Sequence, residues 1–268
     1  MPVASNDAAS HPVIAISGVV IVRDAESTIT SCLRSMERFA EVVVYDNGSA
    51  DRTPEIARSF ANVSLHTGMF SGFGPTKNRA AALARHPWIL SIDSDESLSP
   101  ELVRSIASID RDDASAVYSV WRQNFMMGRL VRHSGWGKDW LPRLYHRDKA
   151  RLSDAAVHEN LVWDPDCNVR RLEGPLYHAA VQDLGDMLVK VNRYAEIRRQ
   201  TRPRVMPPAA ILFRSWWAFW RTWIFRGGWL DGWRGLAIAW SNANGVFYKY
   251  MKSYADAARA REGDGQEP

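Results

Sequence analysis

Ile89-Leu90-Ser91-Ile92-Asp93-Ser94-Asp95-Glu96 is the stretch that decides how this chain reads. An apolar, branched run from Trp88 to Ile92 leads into three carboxylates, and Ser97 and Pro100 break the run straight after. Such a run suits a strand buried on both faces. The carboxylates then lie at its C-terminal end, the edge where open α/β sheets bind ligands. Two aspartates one residue apart offer hard oxygen ligands to Mg2+ or Mn2+, and such an ion bridges to substrate phosphates. The plainer alternative is an acidic turn before a helix, with Ser99 as N-cap ahead of Pro100 and Glu101.

Upstream, apolar runs alternate with helical patterns. Val13–Val22 reads as a first strand that ends in Arg23-Asp24-Ala25-Glu26. Ser27 caps a helix expected to reach about Phe39. Glu41–Tyr45 is a second strand, ending in Asp46-Asn47-Gly48-Ser49. Pro54 opens a short helix, and Val63–His66 is a third strand. Gly68–Pro75 reads as a glycine-rich loop, and Thr76–Arg85 as a helix with Lys77, Asn78 and Arg79 in its first turn. This β-α-β-α-β-α-β order predicts a mostly parallel sheet with helices on both faces. Arg23–Ser27 lacks the G-x-G-x-x-G of a dinucleotide fold, and no Walker loop occurs. Asp46, at a strand end, can accept from a base or ribose, or can serve only its Asp-Asn-Gly turn.

Composition narrows the class. The chain has 268 residues, enough for one large domain or two small ones. Its two cysteines, Cys32 and Cys167, form no disulfide framework and no metal-binding spacing, which suits a reducing compartment. Residues 1–12 read as a loose tail without a signal-peptide pattern. No charge-free apolar run approaches the roughly 20 residues of a membrane span.

Four motifs in order, V-V-I-V-R-D-A-E, V-V-V-Y-D-N-G-S-A-D-R-T, K-N-R-A-A-A and I-L-S-I-D-S-D-E, resemble glycosyltransferase family 2, the inverting enzymes of the GT-A fold. The resemblance implies a nucleotide-diphosphate-sugar donor and a divalent cation, Mg2+ or Mn2+. It implies that Arg23, Asp24 and Glu26 line the nucleoside pocket and that Asp46 contacts the base. It also implies that Asp93 and Asp95 hold ribose and metal. Arg23 departs from the commoner asparagine or threonine of the family. Further on, Gly135-Trp136, Arg143-Leu144-Tyr145, Val157-His158-Glu159, Leu176-Tyr177-His178 and Gly228-Trp229-Leu230-Asp231-Gly232 resemble the bacterial branch that includes the β-1,4-glucosyltransferases of lipopolysaccharide inner-core assembly.

Inverting transfer needs a cation for the leaving diphosphate, donors for the phosphates and a base for the acceptor hydroxyl. Asp95, with Asp93, is the expected metal site. Lys77 and Arg79 at a helix start are expected at the diphosphate, unless they form a solvated basic face. Glu159 is the expected base, following the family's placement of its acidic base. His158 is expected to ligate metal or orient Glu159. Val162 stands where H-E-x-x-H would need its second histidine, so a zinc protease is unsupported. Trp136 and Trp140 suit sugar stacking or packing.

Asp183–Thr201 reads as a helix, and Pro207-Pro208 opens the next. From Arg198 to Lys252 ten basic residues stand against one acid, Asp231, interleaved with seven tryptophans. Arg and Trp on amphipathic helices suit an anionic membrane surface. The expected organisation is a tail at 1–12, a GT-A domain at 13–180 (donor half 13–100, acceptor half 101–180), a membrane-associating helical region at 181–261, and a tail at 262–268. The expected function is transfer of a hexose, glucose at best, from a UDP-sugar to a lipid-linked saccharide at the inner face of the cytoplasmic membrane, with no nucleic-acid partner. The alternatives are a nucleotide-sugar-binding protein without activity and a basic membrane or nucleic-acid adaptor.

Overall fold

A computed structural model describes residues 12–137, 139–154, 159–201 and 203–263. The chain divides into two compact units: residues up to Arg122 with Trp140–His178, and Gln123–Asp139 with the chain from Ala179 onward. The boundaries expected from sequence, 101–180 and 181–261, do not coincide with this division, because Gln123–Asp139 belongs to the second unit.

The first unit is built on β1 (Ile14–Val22), buried at every position but Ala15. It lies between two parallel neighbours, β2 (Phe39–Asp46) and β4 (Trp88–Asp93); Val19 stands opposite Val43 on one side and Ser91 on the other. Side chains alternate across a strand, so both faces of the sheet are apolar. Val20, Val22, Val44, Leu90 and Ile92 enter one cluster, with Ile29 and Leu33 of α1 (Ile29–Arg34) and Leu102 and Ile106 of α4 (Pro100–Ala107). Val19, Ile21, Val43 and Ile89 enter the other, with Ala80 and Ala81 of α3 (Phe73–Ala82). At Gly18 a Cβ would come within 2.8 Å of Met36 Sδ, so a larger residue there would make the Met36 side chain shift.

The strand order is β3-β2-β1-β4-β8-β6-β11-β5, with β3 Val63–Thr67, β5 Glu96–Leu98, β6 Ala116–Met126, β8 Trp140–His146 and β11 Asn168–Val181. Its first four strands are parallel. Beyond β4 the pairings β4–β8, β8–β6 and β11–β5 are antiparallel, so the sheet is mixed rather than mostly parallel. A separate ribbon pairs β9 (Ala150–Leu152) with β10 (Leu161–Trp163).

Two helices differ from expectation. α1 ends at Arg34, and tighter turns (Met36 N to Leu33 O, 3.0 Å) carry the chain into β2 at Phe39. α3 starts at Phe73, inside the expected loop, because Gly72 takes φ +106° as its N-cap. The acidic-turn alternative holds in one respect: Ser99 Oγ accepts from Leu102 N at 3.1 Å and caps α4.

In the second unit β7 (Arg129–Leu130) pairs back on the end of β6. Three helices follow: α5 (Leu184–Thr201), α6 (Pro208–Trp220) and α7 (Trp233–Gly263). A π-helical turn, Arg221–Phe225, and a 3-10 turn, Gly228–Asp231, link α6 to α7. Asp231 closes this corner, accepting from the Arg132 and His133 amides (3.1 Å each) and from Ser134 Oγ (2.8 Å). α5 is tied to α7 by a two-pronged pair, Arg199 to Asp256 at 2.6 and 2.7 Å.

Candidate functional site

The parallel register sets one edge of the sheet. Val22 stands opposite Asp46, and Ile21 opposite Asp93, so the C-terminal ends of β1, β2 and β4 lie side by side. The loops after β1 and β2 are laced together by reciprocal hydrogen bonds. Asp24 Oδ1 accepts from Ala50 N at 2.7 Å, while Asp24 N donates to Ser49 Oγ at 2.9 Å. Glu26 N donates to Asp51 Oδ2 at 2.9 Å, and Glu26 Oε2 accepts from Arg52 N at 3.2 Å. Asp46 Oδ1 accepts from Ser49 Oγ at 2.6 Å and from Ser49 N at 3.1 Å, so the carboxylate makes its own turn. Arg23 is exposed and reaches Asp24 at 3.7 Å.

At the end of β4 the side chains form an alternating chain of charge. Lys77 Nζ lies 2.7 Å from Asp93 Oδ1 and 2.7 Å from Glu159 Oε1. The other oxygen of Asp93 meets Arg143 Nη2 at 3.1 Å. That same nitrogen reaches Glu96 Oε1 at 2.9 Å, which also meets Arg122 Nη1 at 3.2 Å. The second Glu96 oxygen accepts from Asp93 N at 2.9 Å. Glu96 is fully buried, and it answers the two arginines from beneath the site. Strand pairing places Arg143 here: Leu144 faces Leu90, and β8 runs antiparallel to β4.

The charges hold one another ionised. Burial pushes the Asp93 carboxyl up, but the Lys77 and Arg143 charges, with their hydrogen bonds, outweigh it and hold Asp93 well below the usual carboxylate range. Burial pushes Lys77 down; Asp93 and Glu159 overcome this and the opposing charge of Arg143, so its ammonium is held above its ordinary value. Arg143 is likewise raised, against burial, by Glu96 and Asp93.

These distances show what each expected site residue touches. Lys77 and Arg79 engage different neighbours. The Lys77 side chain is only 2% exposed and engaged by two carboxylates. Arg79 Nη1 donates to the Met69 carbonyl at 3.1 Å and to Tyr45 Oη at 3.4 Å, so it braces the loop before α3. Asp93 has each oxygen on a cation, which leaves Asp95 as the better metal carboxylate. Asp95 is about one-third exposed, and His178 Nε2 stands 3.4 Å from its Oδ2. His178 comes from the β11–β5 ladder, where it lies opposite Glu96. Among the described residues no cluster of three or more His, Cys, Asp or Glu could hold a metal by itself. A cation at Asp95 would have to take its other ligands from phosphate oxygens and water. His158 lies outside the described residues.

Glu159 arrives on the loop of the β9–β10 ribbon. Ser153 N donates to the Asn160 carbonyl (2.8 Å) and Asn160 N to Ser153 Oγ (3.1 Å), closing that loop at its base. Trp140 is exposed, with the Arg171 guanidinium 4.7 Å above its ring, whereas Trp136 packs into the second unit's core. In the sequence His178 stands only within the Leu176-Tyr177-His178 resemblance, and Glu96 and Arg122 have no role assigned. No local spacing marks them, because they sit on strands whose pairing partners lie far away in sequence.

Asp93 gives this network a pH signature. A carboxyl held below its unfolded value of about 3.9 contributes stability that is complete above that value and lost as pH falls through the folded one. The thermal midpoint of the wild type should therefore exceed that of Asp93→Asn most above about pH 5. The gap should narrow steadily toward pH 2 in a pH series of melting curves. A gap that stays constant would mean that Asp93 is not the ionised partner of Lys77 and Arg143.

Comparison with known proteins bears on the same edge. The family described as "Glycosyl transferase family 2" matches residues 17–162, which includes most of β1 and all of α3, β4 and Glu159. The lipopolysaccharide core biosynthesis glycosyltransferase LpsC of Rhizobium meliloti is 25% identical over 256 residues, covering 91% of this chain and 93% of that one. An uncharacterized glycosyltransferase of Rickettsia typhi is 25% identical over 67% of this chain and 65% of its own length. Among solved structures, S. aureus TarS 1-349 in complex with UDP aligns over 94% of this chain and 92% of its own, at 16% identity and a TM-score of 0.42. With the family match running over more than half its length, and with its parallel strands ending in the Asp93-Ser94-Asp95 edge, the chain belongs to glycosyltransferase family 2 and has the GT-A fold.

Proposed function

We propose that the enzyme transfers a hexose, glucose by preference, from a UDP-sugar to a lipid-linked saccharide of the cell envelope, with lipopolysaccharide core as the best fit. The observation that carries this reading is the convergence of Glu159, Lys77 and Asp93 at the end of β4, with Asp95 two residues on. The relative named for lipopolysaccharide core biosynthesis supports the acceptor class.

In this reading the laced loops at Asp24–Glu26 and Asp46–Thr53 wall the nucleoside. Asp46 meets the base, and Arg23 lies at the pocket's exposed rim. Asp93 accepts from a ribose hydroxyl with a lone pair left over from its two cations. Asp95, with His178 beside it, would hold Mg2+ or Mn2+, which would neutralise charge on the leaving diphosphate. Glu159 takes the proton of the acceptor hydroxyl as that oxygen attacks the anomeric carbon. The bond to the diphosphate breaks on the opposite face, so the configuration inverts. Lys77 holds Asp93 and Glu159 in place, and Arg143 holds Asp93, before substrate arrives, which lowers the cost of organising charge in the transition state. Glu159→Gln keeps the shape and removes the proton acceptor. Turnover measured with a UDP-sugar and a saccharide acceptor should fall by about 10²–10⁴-fold. Wild-type turnover in that variant would refute Glu159 as the base.

A lipid-linked acceptor requires work at a surface. No helix among the described residues is long and apolar enough to cross a membrane. The second unit instead exposes large apolar side chains along α6 and the corner after it: Phe213, Trp216 and Trp217, then Phe225, Trp229 and Leu230. Arg214, Arg221 and Arg226 are exposed among them, while Asp231 is occupied by the Arg132–Ser134 segment. Exposed aromatics beside cations match an anionic lipid interface, and so large an apolar patch calls for a partner. We place this unit on the inner face of the cytoplasmic membrane. The protein should float with anionic liposomes, less so at high salt because arginine attraction is screened but insertion is not. A Trp216→Gln/Phe225→Gln/Trp229→Gln triple variant should stay in the dense fraction. Equal recovery of both proteins would remove this face as the anchor.

A further inference from the structure

α3 carries Lys77, Asn78 and Arg79 in consecutive positions, and each braces a different neighbour. Arg79 holds the loop before the helix. Asn78 grips the β9 backbone in both directions: its Nδ2 donates to the Leu152 carbonyl at 2.8 Å, and its Oδ1 accepts from Leu152 N at 2.9 Å. Lys77 holds Glu159, at the far end of the same ribbon's loop, and Asp93 at the end of β4. The β9–β10 ribbon has only three residue pairs of its own. Its place relative to the donor edge is therefore set largely by α3.

An ammonium buried to this degree is stable only when paired, because desolvation costs several kcal/mol without a partner. Both carboxylates are thus bound to one nitrogen at hydrogen-bond length. A lysine that served the donor phosphates would need that nitrogen at the surface. We propose that Lys77 is a positioning residue: it fixes the base Glu159 at a set distance from Asp93, and it is not a ligand of the donor diphosphate. This inference rests on Glu159 being the base. It gives the K-N-R run one task, docking the base-bearing ribbon onto the donor sheet. A base held in place before the acceptor binds contributes to the chemical step, not to donor affinity.

The test is a kinetic comparison of Lys77→Met, Glu159→Gln and the double variant, with donor binding followed by the rise in thermal midpoint on adding UDP and Mn2+. Lys77→Met should lower kcat about 10²-fold, leave donor KM within about three-fold of wild type and keep the UDP-induced midpoint rise. Added to Glu159→Gln, it should cost little more, since both changes remove one function. A rise in donor KM with loss of the UDP-induced shift would overturn the proposal and return Lys77 to the phosphates. So would unchanged kcat in Lys77→Met while Glu159→Gln is inactive. Full activity in Glu159→Gln would instead refute the base itself. If methionine at this buried site prevents folding, Lys77→Ala assayed with added propylammonium decides. Recovery of kcat by the free cation is expected, and its absence in a folded, UDP-binding protein would contradict a positioning cation.

Discussion

The structure of the site depends on one buried ammonium. Lys77 Nζ is almost wholly removed from water, and it stays charged because Asp93 and Glu159 approach it from two separate elements. Removing either carboxylate leaves the other to balance the charge, and removing the lysine leaves two acids facing each other. The chain therefore has a strong electrostatic reason to keep β4, α3 and the β9–β10 ribbon in one arrangement. Arg143, Glu96 and Arg122 extend the same logic inward: three cations and three anions alternate, and the deepest anion, Glu96, has no exposure at all. A site assembled this way has its charges paired before substrate binds, the preorganisation that charge-stabilising catalysis uses.

Much of this was legible in the sequence for a simple reason. β1, β2 and β4 are buried on both faces, so they read as apolar runs broken only by Ser17, Glu41 and Ser91, and the ends of β2 and β4 are marked by Asp46 and Asp93. Local pattern sufficed to place that edge. It failed where structure depends on partners distant in sequence. The antiparallel pairings of β6, β8 and β11 bring Arg122, Arg143 and His178 to the site from three separate stretches, and no spacing rule connects them. Lys77 and Arg79 show the same limit in a helix. Their position in a first turn suggested a phosphate site, yet what each touches is decided by Glu159 in one case and by the Met69 carbonyl in the other. Gly72 hid the true start of α3, because a left-handed N-cap reads as loop until the dihedral is seen. For the tryptophans, composition could not say which were packed: Trp136 is, and Trp216 and Trp229 are not.

The second unit applies a different principle. Its small core lies around Met126, Val131, Val181, Met187 and Ile238, and α6 packs on α7 through one face (Ser215 Oγ donates to the Ala243 carbonyl at 2.6 Å) while Phe213, Trp216 and Trp217 stay exposed. The corner that follows is not loose: Asp231 satisfies three donors of the Arg132–Ser134 segment, and Gly227 and Gly232 take positive φ to make the turns on either side of it. The exposed aromatics are thus held on a well-determined frame.

The central claim is that the edge formed by Asp46, Asp93 and Asp95 is a nucleotide-sugar site completed by a divalent cation. Thermal denaturation of the full chain with UDP, UDP-glucose and GDP, each with and without Mn2+, tests it most directly, since a ligand of the folded state raises the midpoint by mass action. UDP and UDP-glucose should raise it, and Mn2+ should enlarge the rise. A midpoint unmoved by every nucleotide, with and without the cation, would contradict the account.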